Sequence, residues 1–302
     1  MQSSLVSLSN DLAKLVEEFQ SGVVAVHARH RYPSSGVHWR PGIVVTADHT
    51  IRQDEDIQVT LASGQTVPAT LGGRDAGSDI AFLKVDGIGT SAVAIGEGDA
   101  AKVGELALVL GRSANSGPNA SMGVISAVSG PWRTWRGGRL EQYVRLDATL
   151  FPNSSGGAVL SCRGRVLGIA TSALSRIAGL AIPTATVNRV LDTLIEKGRL
   201  PRGYLGVGVQ PVAIPEAFRT NLSIPNETGV MVVNVEAGGP ADKAGILLGD
   251  VLISFGATQL EGIEDLQSVS DSGVVGKSVN VGVIRAGNLK EVTVTVGERP
   301  GR

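Results

Sequence analysis

Residues 153–157 read Asn153–Ser154–Ser155–Gly156–Gly157, and the segment before them contains Leu146, Asp147, Ala148 and Thr149. A serine followed by two glycines gives a turn with no Cβ on its far side. The backbone can then approach a substrate carbonyl and aim successive N–H groups at a developing oxyanion. A serine hydroxyl is a poor nucleophile until an imidazole takes its proton and an acid fixes that imidazole's tautomer and stabilises its cation. The turn therefore has to be read together with a histidine and a carboxylate.

The chain has four histidines. His27, His30 and His38 lie in or near a polar, arginine-rich stretch and are expected to be solvated. His49 closes the apolar run 42–47 after Asp48, and a strand end suits a residue that projects into a cleft. Asp79 opens the run Ile80–Ala81–Phe82–Leu83–Lys84, where its carboxylate can be buried beside a histidine.

These segments carry a resemblance. Thr46–Ala47–Asp48–His49, Ser78–Asp79–Ile80–Ala81–Phe82–Leu83–Lys84 and Asn153–Ser154–Ser155–Gly156–Gly157 resemble the three active-site blocks of the HtrA (Deg) serine proteases, in that family's order. Val103–Gly104–Glu105, Gly123–Val124–Ile125–Ser126 and Ala178–Gly179–Leu180–Ala181–Ile182–Pro183 extend it over nearly the whole chain. The resemblance implies a mainly β chain with a chymotrypsin-like double six-stranded β-barrel. It also implies His49 as general base and then acid, Asp79 as the orienting carboxylate and Ser155 as nucleophile. The oxyanion hole would be formed by the N–H groups of Asn153 and Ser155, with Ser154 between them.

Two departures stand out. The family usually has glycine at the position of Asn153 and asparagine at that of Ser154, so Asn153 is expected to need a left-handed backbone, which Asn tolerates. Asp48 and Thr50 replace small and aliphatic neighbours of the histidine, and Asp48 is a competing partner for the imidazole. The stretch before Ser155 and residues Ile177, Ala178, Gly179 and Leu180 are expected to shape the primary pocket. They hold no acid to pair a substrate Lys or Arg, which points to cleavage after small or medium aliphatic residues. Leu150 and Phe151 stand equally well as pocket or core.

Outward from this centre, apolar residues at three- and four-residue steps predict an amphipathic helix over 5–19. Short strands follow at 23–27, 42–46, 57–61, 66–71, 80–85, 106–110, 121–129, 141–147, 158–160 and 166–171, separated by turn residues. Val187, Val190, Leu191, Leu194 and Ile195 share a helical face, with Gly198 as its stop. Residues 199–202 then mark a boundary, which the resemblance makes the one between a trypsin-like serine protease domain, 1–199, and a second, smaller PDZ-like α/β domain, 200–302. The loops 112–120 and 130–138 are expected to order and disorder.

In the last hundred residues, strands are expected at 230–235, 251–255, 278–284 and 291–296, with helices at 240–244 and 263–270. Tyr204–Leu205–Gly206–Val207 resembles the carboxylate-binding loop of PDZ domains in the HtrA family. The block from Gly239 to Leu252 resembles the PDZ helix–turn–strand element. Leu266 and Val269 stand as groove or core residues.

Composition narrows the function classes. Glycine contributes 40 of 302 residues, which favours many tight turns. The balance of 27 basic and 28 acidic side chains gives a net charge of −1 and no basic field for nucleic acid or anionic lipid. Cys162 is the only cysteine, so no intrachain disulfide and no paired-cysteine zinc site is expected. A cysteine-dependent hydrolase is disfavoured, because Cys162 adjoins Arg163–Gly164 in an expected hairpin turn. No metal or other cofactor is implied. The N-terminus lacks a basic start followed by an apolar block, and no stretch is apolar enough to cross a membrane, so the chain reads as cytoplasmic by default, or extracytoplasmic if processed. The expected activity is a serine endopeptidase acting on unfolded or damaged protein, with protein C-termini at the PDZ domain and a homotrimer by resemblance. The competing class is a protease-like chaperone or adaptor without turnover.

Overall fold

The computed structural model describes residues 4–30, 32–88, 101–197, 203–269 and 274–298. Residues 1–199 and 200–302 form two compact units.

The first unit begins with helix Ser4–Phe19, which buries only Phe19 fully. Strands Val23–His27, Ser34–Arg40, Ile43–Ala47, Gln58–Thr60, Thr66–Pro68, Thr70–Asp75 and Ile80–Lys84 then form one antiparallel sheet. The two ends of that sheet are Thr66–Pro68 and Thr70–Asp75, which follow each other through Ala69. Counted as one strand kinked after Pro68, a residue with no N–H to donate, these two bring the sheet round as a barrel of six. The kink is held by the Ala69 amide, which donates to Ile57 O at 2.9 Å. Val24, Val26, Val44, Val59, Ala81 and Leu83 fill the interior.

Strand Ser34–Arg40 lies outside the sequence expectation, although its first six residues are buried. Ser34, Ser35 and Gly36 read as turn formers, and the alternation that marks a strand is missing when both faces are covered. His38 is buried and His27 half-buried with Nε2 2.8 Å from Thr60 Oγ1, so of the three histidines expected in solvent only His30 is exposed. Burial lowers the pKa of His27.

The second barrel is closed, in the order Tyr143–Asp147, Gly179–Pro183, Arg165–Thr171, Ala158–Ser161, Leu106–Ser113, Gly117–Ser129. Strands Leu106–Ser113 and Gly117–Ser129 run past their expected ends, whereas Tyr143–Asp147 starts later than expected. Residues 112–120, expected as a long loop, are a tight hairpin paired down to Ser113 opposite Gly117. Residues 130–138 include strand Trp132–Arg133 paired with Arg139–Leu140, and Thr134 Oγ1 donates to Gly77 O at 2.7 Å. Both segments are hydrogen-bonded in this structure. Cys162 is exposed in the turn between Ala158–Ser161 and Arg165–Thr171. Helix Thr184–Lys197 buries Val187, Val190, Leu191 and Leu194. Gly198 and the boundary at 199–202 lie outside the described residues.

The second unit is a sheet in the order Val207–Ala213, Thr228–Val235, Val251–Phe255, Ser278–Arg285, Asn288–Thr295, with Thr258–Gln259 added beside Val251–Phe255. Helices Glu216–Leu222, Pro240–Ala244 and Ile263–Val269 accompany it; the first was not expected, and Ser270 lies outside the described residues. Leu266 sits in the core with Val230, Leu252, Phe255 and Val281, and Val269 packs at its margin.

Candidate active site

In the first barrel Ala47 pairs with Ile80 across neighbouring strands. The turn that carries His49 therefore leaves the sheet beside the residue that precedes Ile80, which is Asp79. Asp79 has φ +59°, a left-handed conformation that aspartate adopts more readily than most residues. The Asp48 amide bonds to Asp79 O at 3.1 Å, and the His49 amide bonds to Asp79 Oδ1 at 2.8 Å. His49 Nδ1 lies 2.9 Å from Asp79 Oδ2 and 3.1 Å from Oδ1. The Asp79 side chain is fully buried, and that of His49 is 18% exposed. Thr171 Oγ1, from the second barrel, donates to Asp79 Oδ2 at 2.5 Å. A buried carboxylate is costly unless such donors satisfy its oxygens.

Asp48 does not compete for the imidazole. Its Oδ1 accepts from Arg74 Nε at 2.5 Å, and Arg74 also reaches Asp54. Burial still raises the pKa of Asp48, although the Arg74 bond and charge oppose it. Thr50 turns its hydroxyl back to Ala47 O at 2.7 Å.

The turn at 151–157 is tied to both barrels. Its five carbonyls from 151 to 155 all have partners. Phe151 O accepts from the Ser154 amide, Ser154 O from the Gly157 amide and Ser155 O from the Ser35 amide. Pro152 O accepts from Arg29 Nη2 at 2.8 Å, and Asn153 O from Ser35 Oγ at 2.6 Å. The Gly156 amide donates to Ala170 O. This leaves the Asn153 and Ser155 amides, which donate to no group among the described residues. The Ser154 amide, being bonded to Phe151 O, cannot serve an oxyanion. Asn153 is not among the residues with positive φ; that conformation falls instead on Gly156, at +87°. A Cβ on Gly156 would stand 2.1 Å from Ser35 O, so only glycine fits.

Ser155 is 4% exposed, and its Oγ shares a hydrogen bond with Ser172 Oγ at 3.2 Å; none joins it to His49. Of the expected pocket residues, Ile177 is 85% exposed and Leu180 is fully buried, with Ala178 and Gly179 between these extremes. A Cβ on Gly179 would meet Leu150 Cδ1 at 2.5 Å, so the Leu150 side chain lies directly against that glycine. Phe151 is 45% exposed. Among the described residues no group of three or more His, Cys, Asp and Glu side chains converges as a metal site would.

Arg29, Ser35, Thr171 and Ser172 were not singled out from sequence. Thr171 ends a strand that was expected, but nothing local marks its hydroxyl as facing Asp79.

Residues 34–169 match the trypsin-like peptidase domain family, and residues 203–296 match the PDZ domain family. A probable periplasmic serine endoprotease, DegP-like, from Chlamydia pneumoniae is 31% identical over 264 residues, covering 86% of this chain and 53% of the relative. The DegP-like relative from Ectopseudomonas mendocina is also 31% identical, over 86% of this chain and 55% of the relative. A solved structure of the HtrA-type protease AlgW with a decapeptide superposes with a TM-score of 0.77 at 26% identity, covering 96% of this chain and 99% of that one. The chain thus carries a trypsin-like peptidase domain and one PDZ domain, and the proteins it is similar to include DegP-like and HtrA-type proteases. A second solved structure, the serine endoprotease from Yersinia pestis, superposes with a TM-score of 0.77 at 28% identity, over 95% of this chain and 98% of that one. The chain spans about half the length of the curated DegP-like relatives it matches, at 53% and 55%.

The PDZ unit has its own geometry. Strand Val207–Ala213 is an edge of the sheet, and helix Ile263–Val269 packs alongside it. Leu205 O accepts from the Ala241 amide and Gly206 O from the Glu236 amide, both at 2.8 Å. In a planar trans peptide the N–H points opposite to the C=O, so the Gly206 and Val207 amides face away from those partners. Gly206 has φ +75°, which lets successive amides form a concave, anion-binding nest.

Proposed function

We propose that this chain is a serine endopeptidase acting on unfolded or damaged polypeptides. The observation that carries the proposal is the hydrogen-bond pattern of the 151–157 turn. It leaves two amides beside a serine hydroxyl undirected, in a unit that also holds a histidine on a buried carboxylate.

In this mechanism Ser155 Oγ turns from Ser172 toward His49 when substrate arrives, since apo hydrogen bonds at such sites are often loose. His49 Nε2 takes the hydroxyl proton as Oγ bonds to the scissile carbonyl carbon. Asp79 holds the Nδ1–H tautomer and stabilises the imidazolium. The carbonyl oxygen, now an oxyanion, receives the Asn153 and Ser155 N–H groups. Collapse breaks the C–N bond, with the proton passing from His49 to the leaving amine. Water activated by His49 then hydrolyses the acyl-enzyme and regenerates Ser155.

Leu150 against Gly179 supports a short apolar primary pocket and cleavage after small or medium aliphatic residues. The residue ranges 1–199 and 200–302 are proposed as the protease and peptide-binding domains. In the latter, Tyr204, Leu205, Gly206 and Val207 would capture a peptide's C-terminal carboxylate while the peptide adds to the edge strand. The periplasmic naming of the relatives supports an extracytoplasmic location. Exposed Leu5, Val6 and Leu8 on the first helix support self-association, proposed as a homotrimer.

The test is hydrolysis of casein by wild type and by Ser155→Ala. Proteolysis by wild type alone is expected. Equal proteolysis would remove Ser155 from the mechanism, and none in either, even with a C-terminal peptide added, would favour the chaperone or adaptor reading.

A further inference from the structure

The orientation of the Pro152–Asn153 peptide decides whether the Asn153 N–H is available to an oxyanion. The two groups of this peptide point in opposite directions, because the bond is planar and trans. Turned over, it would present the Pro152 carbonyl where the N–H should be, and a lone pair there would repel the developing negative charge.

We propose that Arg29 is a positioning residue for the oxyanion hole, holding the Pro152 carbonyl outward so that the Asn153 amide stays available. The inference rests on the peptidase reading of the same site. Arg29 stands 123 positions from Pro152, in the connection between strands Val23–His27 and Ser34–Arg40. Its Nε donates to Tyr32 O at 2.6 Å, and its Nη2 donates to Pro33 O at 3.2 Å and to Pro152 O at 2.8 Å. Among the described residues its acceptors are all backbone carbonyls. A guanidinium held by its own turn is a fixed fork, which gives direction as well as charge. Ser35 acts on the next peptide, because its Oγ donates to Asn153 O while accepting from the Arg112 amide. The cationic donor on Pro152 O also polarises the peptide, which strengthens the Asn153 N–H as a donor.

The experiment compares wild type, Arg29→Met and Arg29→Lys in the full chain. An oxyanion donor acts in the transition state and not in the ground state, so its loss lowers kcat without raising KM. Removing one such donor outright costs roughly 100- to 1,000-fold. We expect kcat to fall at least ten-fold in the Met variant, KM to move less than three-fold, and Lys to recover part of the loss. Affinity for a peptide boronate, whose adduct is tetrahedral, should fall in step with kcat. A Met variant with kcat within two-fold of wild type, or with kcat and KM both lost alongside a collapsed melting temperature and no rescue by Lys, overturns the proposal. If wild type neither cleaves nor is labelled by a fluorophosphonate, the peptidase reading fails separately. The Asn153 amide NMR resonance then decides on the clamp: a shift in both variants supports it, and an unchanged resonance overturns it.

Discussion

Replacing Thr171 by valine tests how the two barrels share the candidate site. Asp79 Oδ2 accepts from His49 Nδ1 at 2.9 Å and from Thr171 Oγ1 at 2.5 Å, and the carboxylate is fully buried. Valine keeps the size and branching of threonine but leaves that oxygen without one donor. A hydrogen bond to a charged group contributes about 1.5–3 kcal/mol. For a unit of this size each kcal/mol moves the melting temperature by roughly 2–4 °C, so a fall of about 3–12 °C is expected. The carboxylate also gains freedom to rotate away from Nδ1, so kcat/KM should fall with stability, whereas Thr171→Ser should restore both. Thermal melts followed by circular dichroism, with peptidase assays on the same preparations, give the two readouts. A valine variant as stable and as active as wild type would refute the claim that Thr171 anchors Asp79.

Leu150→Ala should deepen the pocket facing Gly179 and shift cleavage toward larger apolar residues, which mass spectrometry of casein fragments would register; an unchanged cleavage profile would remove Leu150 from the pocket. In the PDZ unit, burial works against ionisation of Asp250, but bonds from Arg285 and the Leu247 amide more than offset it and hold its pKa below the usual carboxylate value. A depressed folded pKa gives stability that is present above the unfolded value of about 3.9 and lost as pH falls through the folded one. Asp250→Asn should therefore lower the melting temperature at pH 7 and flatten its decline below pH 4, in melts recorded across that range. A peptide with a free C-terminal carboxylate should bind at least ten-fold more tightly than its C-terminal amide in fluorescence anisotropy, since the Gly206 and Val207 amides would face that group.

Much of the fold was legible because its signals are local. The apolar run ending at Ala47 and the one beginning at Ile80 are each complete, and their pairing alone brings His49 to Asp79. Strand Ser34–Arg40 was missed because a strand buried on both faces carries no alternation and begins with turn-forming residues. The left-handed residue of the 151–157 turn is expected at Asn153 and lies at Gly156, where Ser35 of the other barrel sets the space. Arg29, Ser35 and Thr171 were illegible for the same reason. Each acts through a hydrogen bond across more than ninety residues of chain, and neither composition nor spacing encodes that approach.

Peptide mapping of the fluorophosphonate adduct on folded protein tests Ser155 as the nucleophile and His49 as its base. A single adduct on Ser155 is expected, lost in His49→Ala and in urea-unfolded protein. An adduct at another residue, or one on Ser155 that forms equally fast without His49, would contradict it.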